Sequence, residues 1–480
     1  MRNQRTYPIH FWALFWLLFL LQMAAAFWFC LQKEGFHYDE YYSYYSSNVT
    51  YGLGPGDGEW KTGAQIRDEF MVLPGQQFRF ADVVRMQSYD VHPPLYYLLL
   101  HTICSLTPGV FSKWSGLGLN LALFAVSYLL LAWAAWMMGK RKKETVLAAC
   151  LLYGCSGAVY SGVVLVRMYL LLGLWILLFT CLHLRALEKR KWGPGFYLSA
   201  MAVTYVGFLT HYYFVVYLFF AGAALECYFF FQREASQGGG RWRPKWRECF
   251  LYGFSLGMGM LLAVCSYPAC LGHIFRGYRG VEAMGAFFDL NNTAGRLSFF
   301  LHLLNRYAFG SMLPILILLL FLLGLTGVAL NKRRKTDNEH IVAEKDSYFW
   351  ERHRLRLFPA IAVVGYFAVV AKTALLAAES ANRYQIPVYG LLFVLTVELT
   401  LSLARRLCLF GIEPGKALLF LTRATVLLVA IGQLVGLCRG NVLFLYREDR
   451  ENIIFAKQNQ EEAVMYYYNP DLRWMVWDDS

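Results

Sequence analysis

The chain has 480 residues, of which 58% are hydrophobic and only 16% charged, with a formal net charge of +13. So few charges over so long a chain exclude a soluble globular protein and point to a polytopic membrane protein. The positive balance is not a nucleic-acid signal, because the basic residues sit in short clusters between apolar runs and no DNA- or RNA-binding motif is present. The 11 cysteines lie mostly inside apolar runs (Cys150, Cys155, Cys181, Cys265) and read as small buried hydrophobes, since their spacing fits neither a zinc site nor a disulfide framework.

In chain order, Arg2 and Arg5 precede an apolar run at residues 8–31 and place the N-terminus in the cytoplasm. That run is too long for a signal-peptide core and has no convincing cleavage site, so it is expected to remain as a membrane helix. Directly behind it comes FHYDEYYSYYSS at residues 36–47, which carries the adjacent carboxylates Asp39 and Glu40. The polar loop runs on to His92 through solvated charges (Asp57, Glu59, Asp68, Glu69). It also holds a turn-rich GLGPGDG at residues 52–58 without the Gly-Lys-Ser ending of a phosphate loop. Next is VHPPLYYLLLHTICSLTPG. Its apolar part, residues 93–106, is about 14 residues or roughly 21 Å of helix, short of a full crossing.

The basic clusters test whether that segment crosses. If it did, GKRKKE (139–144), HLRALEKRKW (183–192), the run around Arg241 to Arg247 and NKRRK (331–335) would all fall outside the cell. If it rests on the outer interface or dips into it, all of them fall inside with Arg405 and Arg406, as the positive-inside bias requires. Pro93–Pro94 therefore start an interfacial or re-entrant helix. The remaining spans fall at residues 114–138, 145–165, 168–186, 195–210, 212–231, 248–268, 311–330, 357–378, 385–404 and 417–437. With the first they make about eleven transmembrane helices in an all-α polytopic protein. Residues 1–438 form the membrane domain, with a first outer loop at 33–113, and residues 439–480 a short outer tail.

This topology gathers polar residues at the outer mouth. Asp39 and Glu40 follow the first helix, and Asp82, Asp90 and His92 precede the short one. Arg167 and Tyr169 lie in VRMYL, His211 in LTHYYF, Lys372 near a helix end, and Arg383 and Tyr384 in the turn after it. The outer loop at 272–305 adds Arg276, Arg279 and, at its end, Arg306. Ionisable groups at membrane depth are costly and are functional candidates by default. Each alone has a plainer explanation: a lone Arg or Lys snorkels to the headgroups, His211 is satisfied by packing, and the tyrosines at 41–45 form an interfacial belt rather than a surface for sugar stacking. Their co-location is what points to a site.

Cations beside a carboxylate at a membrane mouth suit a polyprenyl-phosphate sugar, whose tail stays in lipid while its phosphate sits at the interface. Guanidinium groups bind phosphate with forked hydrogen bonds and stabilise the charge that grows on it as a leaving group. A carboxylate takes the proton of the attacking hydroxyl. Asp39 and Glu40 are sequence neighbours and cannot both face one point from one helix, so one is the base and the other a supporting or metal-binding group. A divalent metal held by Asp39, Glu40, Asp90 and His92 is left open.

The DE dipeptide, DVHPPLYY (90–97), RMYL (167–170), LTHYYF (209–214) and NRYQIP (382–387) resemble, in order and hydropathy up to residue 437, the GT-C superfamily. The similarity is to its branch of protein O-mannosyltransferases and lipid A aminoarabinose transferases. That resemblance implies an inverting glycosyltransferase with Asp39 as catalytic base. It implies donor-phosphate binding by Arg167 and Arg383, joined by His211 and Lys372. It also keeps the HPPL segment outside the membrane. On position, Tyr384 is grouped with these phosphate-binding residues, Glu40 with Asp39 as catalytic, and Asp90, His92 and Tyr169 as supporting. Protein mannosyltransferases read HPPLGK where this chain has Tyr96–Tyr97, and the lumenal insert of the eukaryotic enzymes is absent, which points to a bacterial cell-envelope member with its site on the outer face of the plasma membrane. The acceptor class stays open among glycan, lipid and protein. Two other classes use similar residues: a flippase of lipid-linked sugars, which needs a polar path to the cytoplasm, and a ligase or polymerase drawing on a pyrophosphate carrier, for which Arg276, Arg279 and Arg306 speak.

Overall fold

The computed structural model describes residues 9–48, 60–231, 233–234, 241–242, 245–337, 349–409 and 413–465. Arg2, Arg5, the 52–58 stretch with Asp57, Glu59, and the chain from Tyr466 onward lie outside the described residues, as do the side chains of the 331–335 cluster, Arg241 and Arg406.

The first apolar stretch is one helix, α1 (Ile9–Gln32). The long loop behind it is folded into short helices: α2 (Tyr38–Asn48), α3 (Gly63–Asp68), α4 (Phe80–Tyr89) and α5 (Leu95–Cys104). With 10 residues, α5 measures about 15 Å and is too short to cross. Pro94 caps it, as expected of the proline pair, and it buries Tyr96, Tyr97, Leu100, His101 and Cys104. It packs with α2, α4 and α6 (Lys113–Met138) at one end of the bundle. The bundle continues with α7 (Lys143–Gly154), α8 (Gly157–Val164), α9 (Tyr169–Lys189), α10 (Pro194–Phe208), α11 (Tyr213–Phe230) and α12 (Trp246–Ser266). Short helices α13 (Ala269–Phe275), α14 (Tyr278–Phe288) and α15 (Thr293–Leu303) lead to α16 (Leu313–Asp337), α17 (Phe349–Thr373), α18 (Ile386–Leu409), α19 (Glu413–Cys438) and α20 (Arg450–Gln458).

All the stretches expected to span are helical. Among the described residues, 8 helices are long and apolar enough to cross a membrane, or up to 10 when two bent pairs are each taken as one span. The remaining expected span, α10, has 15 residues. At the end opposite α5, Glu144 of α7 pairs with Arg405 of α18 (2.9 Å) and Arg423 of α19 (2.5 Å), so these two arginines tie three helices together.

The span expected at 145–165 is broken: α7 and α8 meet at 58°. A break inside the membrane frees carbonyls that water cannot satisfy. Here Gln22 of α1 donates to the Leu151 carbonyl (3.4 Å), Gln433 of α19 to that of Leu152 (3.0 Å), and the Tyr160 hydroxyl to that of Gly154. The glycines at the break allow the approach. A Cβ on Gly154 would lie 1.9 Å from Gln22 Cδ, and one on Gly157 would lie 2.2 Å from the Asn441 carbonyl oxygen. Beyond the break α8 is buried along its whole length and delivers the chain to the α5 end of the bundle.

The segment after α19 is built into the same end rather than trailing from it. Val442, Phe444 and Leu445 are buried, and the Leu443 N–H donates to Ser161 Oγ at 2.9 Å. Glu34 and Gly35 donate backbone N–H groups to Leu445 O and Tyr446 O (2.9 and 3.1 Å). Farther on, Trp60–Thr62 pairs antiparallel with Ala463–Met465. Of the tyrosines in α2, Tyr44 and Tyr45 are buried, Tyr44 bonding Lys113 O (3.1 Å) and Tyr45 stacking on Tyr41. That half of the run serves packing.

Adding a methyl at Gly157 therefore forces the 441–446 segment away from α8. Gly157→Ala is expected to lower stability by about 1–3 kcal/mol in thermal or denaturant unfolding of the purified protein. Gly118→Ala, on α6 with nothing near its added Cβ, should be neutral or gain up to about 1 kcal/mol. Equal losses at both positions would contradict the packing described.

Candidate active site

The site begins with the N-terminus of α2. His37 is its N-cap: its carbonyl accepts from Glu40 N (2.7 Å), and its Nδ1 accepts from Asp39 N (3.1 Å). Glu40, three residues on, accepts at its Oε2 from His37 N at 2.8 Å, the reciprocal half of a capping box with an imidazole in the usual hydroxyl's place. Because Nδ1 is an acceptor, His37 is the neutral Nε2–H tautomer. Burial, reinforced by Arg383, Arg167 and Lys33 against the pull of Asp39, takes its pKa down to about 3. The 3.7 Å approach of Nδ1 to Asp39 Oδ2 is therefore not an ion pair.

Glu40 and Asp39 face different surroundings, as their adjacency requires. Glu40 is fully buried and meets Lys33 Nζ at 2.8 Å, also fully buried. Its Oε1 accepts from Val166 N at 2.7 Å. Lys33 also donates to the Phe444 carbonyl at 2.8 Å. Burial pushes the Glu40 carboxyl up and the Lys33 ammonium down; the pair's mutual attraction and the two backbone N–H donors oppose it. Val166 belongs to the non-helical step between α8 and α9. Asn120 holds the other side of that step, donating to Val163 O (3.0 Å) and Leu165 O (2.7 Å). So the backbone that carries Arg167 is clamped from two sides. Glu40 is spent on these contacts and faces away from Asp39's surroundings.

Asp39 points the other way, into a cluster of cations and rings. Its Oδ2 lies 3.0 Å from Arg383 Nη2. Burial alone would raise the Asp39 carboxyl, but Arg383 and then Arg167 outweigh it and hold it well below the usual carboxylate range. Arg383 is 1% exposed and sits in the 3-10 turn Ala378–Tyr384. Its Nη1 donates to Ser380 Oγ (2.9 Å) and Ser380 O (3.2 Å), Nη2 to the Tyr384 hydroxyl (3.3 Å), and its Cζ lies 4.9 Å from the Tyr384 ring centre. Arg167 is 2% exposed; its Nη1 donates to the Tyr97 hydroxyl (2.8 Å) and Ser43 Oγ (3.4 Å). The Nε of each arginine is buried without a hydrogen-bond partner among the described residues.

A third arm reaches Arg167 from the loop before α5. His92 Nδ1 lies 3.0 Å from Asp90 Oδ2, and its Nε2 lies 3.4 Å from Arg167 Nη2. Arginine only donates, so Nε2 accepts and Nδ1–H is given to Asp90. Burial raises Asp90, and His92 with Arg167 overcomes it, leaving the carboxyl lower than usual. The His92 and His211 rings are 6.1 Å apart, Tyr169 lies 5.6 Å from His211, and Tyr384 5.5 Å from Tyr169. His211 Nδ1 accepts from Tyr213 N (3.0 Å), and burial with His92 and Arg167 nearby holds its pKa well below the ordinary value. It stands in the cluster as a neutral Nε2–H donor rather than as a cation.

Asp39, Asp90, His92, Arg167, Tyr169, His211, Arg383 and Tyr384 thus come together. Lys372 joins elsewhere: at the end of α17 it bonds Asp289 O, Asn292 Oδ1 and Thr293 Oγ1, tying that helix to the start of α15. Among the described residues no group of three or more His, Cys, Asp or Glu is placed to hold a metal ion. Glu40 faces Lys33, Asp39 faces Arg383, and Asp90 and His92 face each other. The sequence left His37, Lys33, Asn120 and Ser380 unassigned. His37 alone carried a signal, standing three residues before a glutamate at a helix start.

The structure is similar to two crystal structures of ArnT from Cupriavidus metallidurans, a lipid A aminoarabinose transferase of the branch the motifs resemble. One is bound to undecaprenyl phosphate and matches over 90% of this chain and 77% of that one, with TM-score 0.44 and 12% identity. The other, in the apo state, matches over 86% and 75% with the same score and identity. No protein-family model and no curated protein matches the sequence. Likeness at this level carries no correspondence between residues, so the chemistry has to come from the side chains themselves.

Removing one partner of the Lys33–Glu40 pair leaves a buried charge alone. Glu40→Ala is expected to cost about 3–5 kcal/mol of stability. Glu40→Gln, which keeps an acceptor for Val166 N, should cost clearly less. Denaturant unfolding of the two purified variants reads the difference, and equal small losses would show that Glu40 does not clamp the α8–α9 step.

Proposed function

We propose that this protein is an inverting glycosyltransferase that moves a monosaccharide from a polyprenyl-phosphate carrier to an acceptor hydroxyl of the cell envelope. The observation that carries this reading is a carboxylate, Asp39, 3.0 Å from one buried guanidinium group, Arg383, with a second, Arg167, in the same cluster, brought from separate turns to one mouth of an apolar bundle. Three roles fit these groups. Arg383 and Arg167, each with Nε–H to spare, bind the donor phosphate and stabilise the charge it gains on leaving. His211 Nε2–H and the Tyr384 and Tyr169 hydroxyls, around the same cluster, supply neutral donors to phosphate or sugar. Asp39 receives the proton.

The acceptor oxygen attacks the anomeric carbon from the face opposite the phosphate. The new C–O bond forms as the bond to the phosphate oxygen breaks, its electron pair leaves with the polyprenyl phosphate, and the hydroxyl proton passes to Asp39. With Glu40 committed to Lys33 and Val166, and Asp90 to His92, one displacement at Asp39 is the reading favoured. Double displacement through a covalent glycosyl intermediate needs two carboxyl groups facing the sugar. The basic clusters at the far end of the bundle support a site on the extracytoplasmic face of a bacterial plasma membrane.

A reconstituted assay with a panel of radiolabelled polyprenyl-phosphate monosaccharides tests this. Wild type should transfer label from one of them. Asp39→Asn should lower turnover by at least about 100-fold with donor binding retained. Arg167→Gln should mainly weaken donor binding, by roughly 10- to 100-fold. Near-normal turnover in Asp39→Asn, or donor that crosses the bilayer unchanged, would refute the assignment.

A further inference from the structure

Asp39 has a difficulty as a base: a carboxylate ion-paired with a buried guanidinium holds protons weakly. The surroundings of the pair suggest how it is relieved. Arg383 does not need Asp39 to stay in place, since Ser380 and Tyr384 of its own turn hold it through both terminal nitrogens and the ring face. Nor does Asp39 have a second cation as close: the His37 Nδ1 is spent on the Asp39 N–H, and Arg167 is committed to Tyr97, Ser43 and His92. A phosphate brings several acceptor oxygens and at least one full charge, and it meets an Arg383 whose Nε–H has no hydrogen-bond partner among the described residues. We infer that the donor's phosphate displaces Asp39 from Arg383, so that the carboxylate is free to act as base only while a donor is bound.

This rests on the glycosyltransferase reading and adds regulation to it. In the donor-free protein the 3.0 Å pair keeps Asp39 locked and inert. When the phosphate takes over the guanidinium, Asp39 keeps its charge, loses the partner that weakened it, and turns to the acceptor hydroxyl. The pairing therefore couples base strength to occupancy. Once the carrier leaves, the pair re-forms.

The exchange makes Asp39 a competitor of phosphate for Arg383, which binding measurements can read without any turnover. Undecaprenyl phosphate is titrated against the full chain in nanodiscs, as wild type, Asp39→Asn, Arg383→Gln and the double variant. Exchange predicts that Asp39→Asn binds roughly tenfold tighter than wild type, and that the same substitution gains no more than about twofold when Arg383 is already gone. An equal gain in both backgrounds would reduce the effect to simple repulsion and overturn the exchange. Weaker binding by Asp39→Asn would overturn it too, since Asp39 would then be helping Arg383 hold the phosphate. A second readout needs no Arg383 variant. In infrared difference spectra of ¹³C-aspartate protein, the band absent from Asp39→Asn should shift when undecaprenyl phosphate is added, and an unshifted band contradicts the proposal. Asp39-dependent transfer without the coupling would sink this inference alone. Coupling without transfer from any donor would sink the transferase reading alone, and no binding of the phosphate by any variant would sink both.

Discussion

Two opposite charges with no access to water, Lys33 and Glu40, meet where the chain leaves α1, and the rest of the site is hung from them. Burying such a pair costs several kcal/mol per ion before their attraction offsets it, so it is weak evidence for stability. Its use is positional. Through Glu40 the pair fixes the N-cap of α2 and the peptide at Val166; through Lys33 it fixes the carbonyl of Phe444. Three segments far apart in sequence are thereby set against one another within hydrogen-bond distances. Asp39, next to Glu40 on α2, and Arg167, next to Val166 in the step before α9, inherit their places from it.

The groups proposed to bind phosphate sit on turns, and rigid helices hold the turns. Arg383 comes from the 3-10 turn between α17 and α18, His211 from the junction of α10 and α11, and His92 from the lead into α5. The break between α7 and α8 has the same sense: a fully buried half-helix aims the step that carries Arg167, while two glutamines and a tyrosine satisfy the carbonyls it exposes. Irregular backbone at membrane depth persists only where protein groups take over from water.

Much of this was legible in the sequence, and the illegible part has identifiable causes. Apolar length located the helices and marked the HPPL segment as too short to cross, as the 10 residues of α5 are, because both follow from the cost of putting polar groups in lipid. The aspartate of the DE pair and the arginine of the NRYQIP motif stand 3.0 Å apart although they lie at opposite ends of the membrane domain. Sequence could not show which way Glu40 faced, since adjacent residues differ only by a rotation about α2. It could not show the break after Gly154, because a helix apolar all round has no face whose interruption would mark one. Lys372 shows the limit of depth arguments: its position beside the mouth was inferred from its height on α17, yet the side chain turns to the 289–293 turn. His211, expected among the phosphate-binding residues, is held neutral by burial and could serve there only as a donor.

In the proposed reaction, Arg167 and Arg383 together form the seat of a lipid-linked phosphate beside Asp39. The most direct measurement is a cryo-electron microscopy structure of the protein in nanodiscs with undecaprenyl phosphate. The expected result is phosphate density within hydrogen-bond distance of both guanidinium groups, with the prenyl chain leading into lipid. Phosphate seated on Lys372 and the 289–293 turn, or out of reach of both arginines, would contradict it.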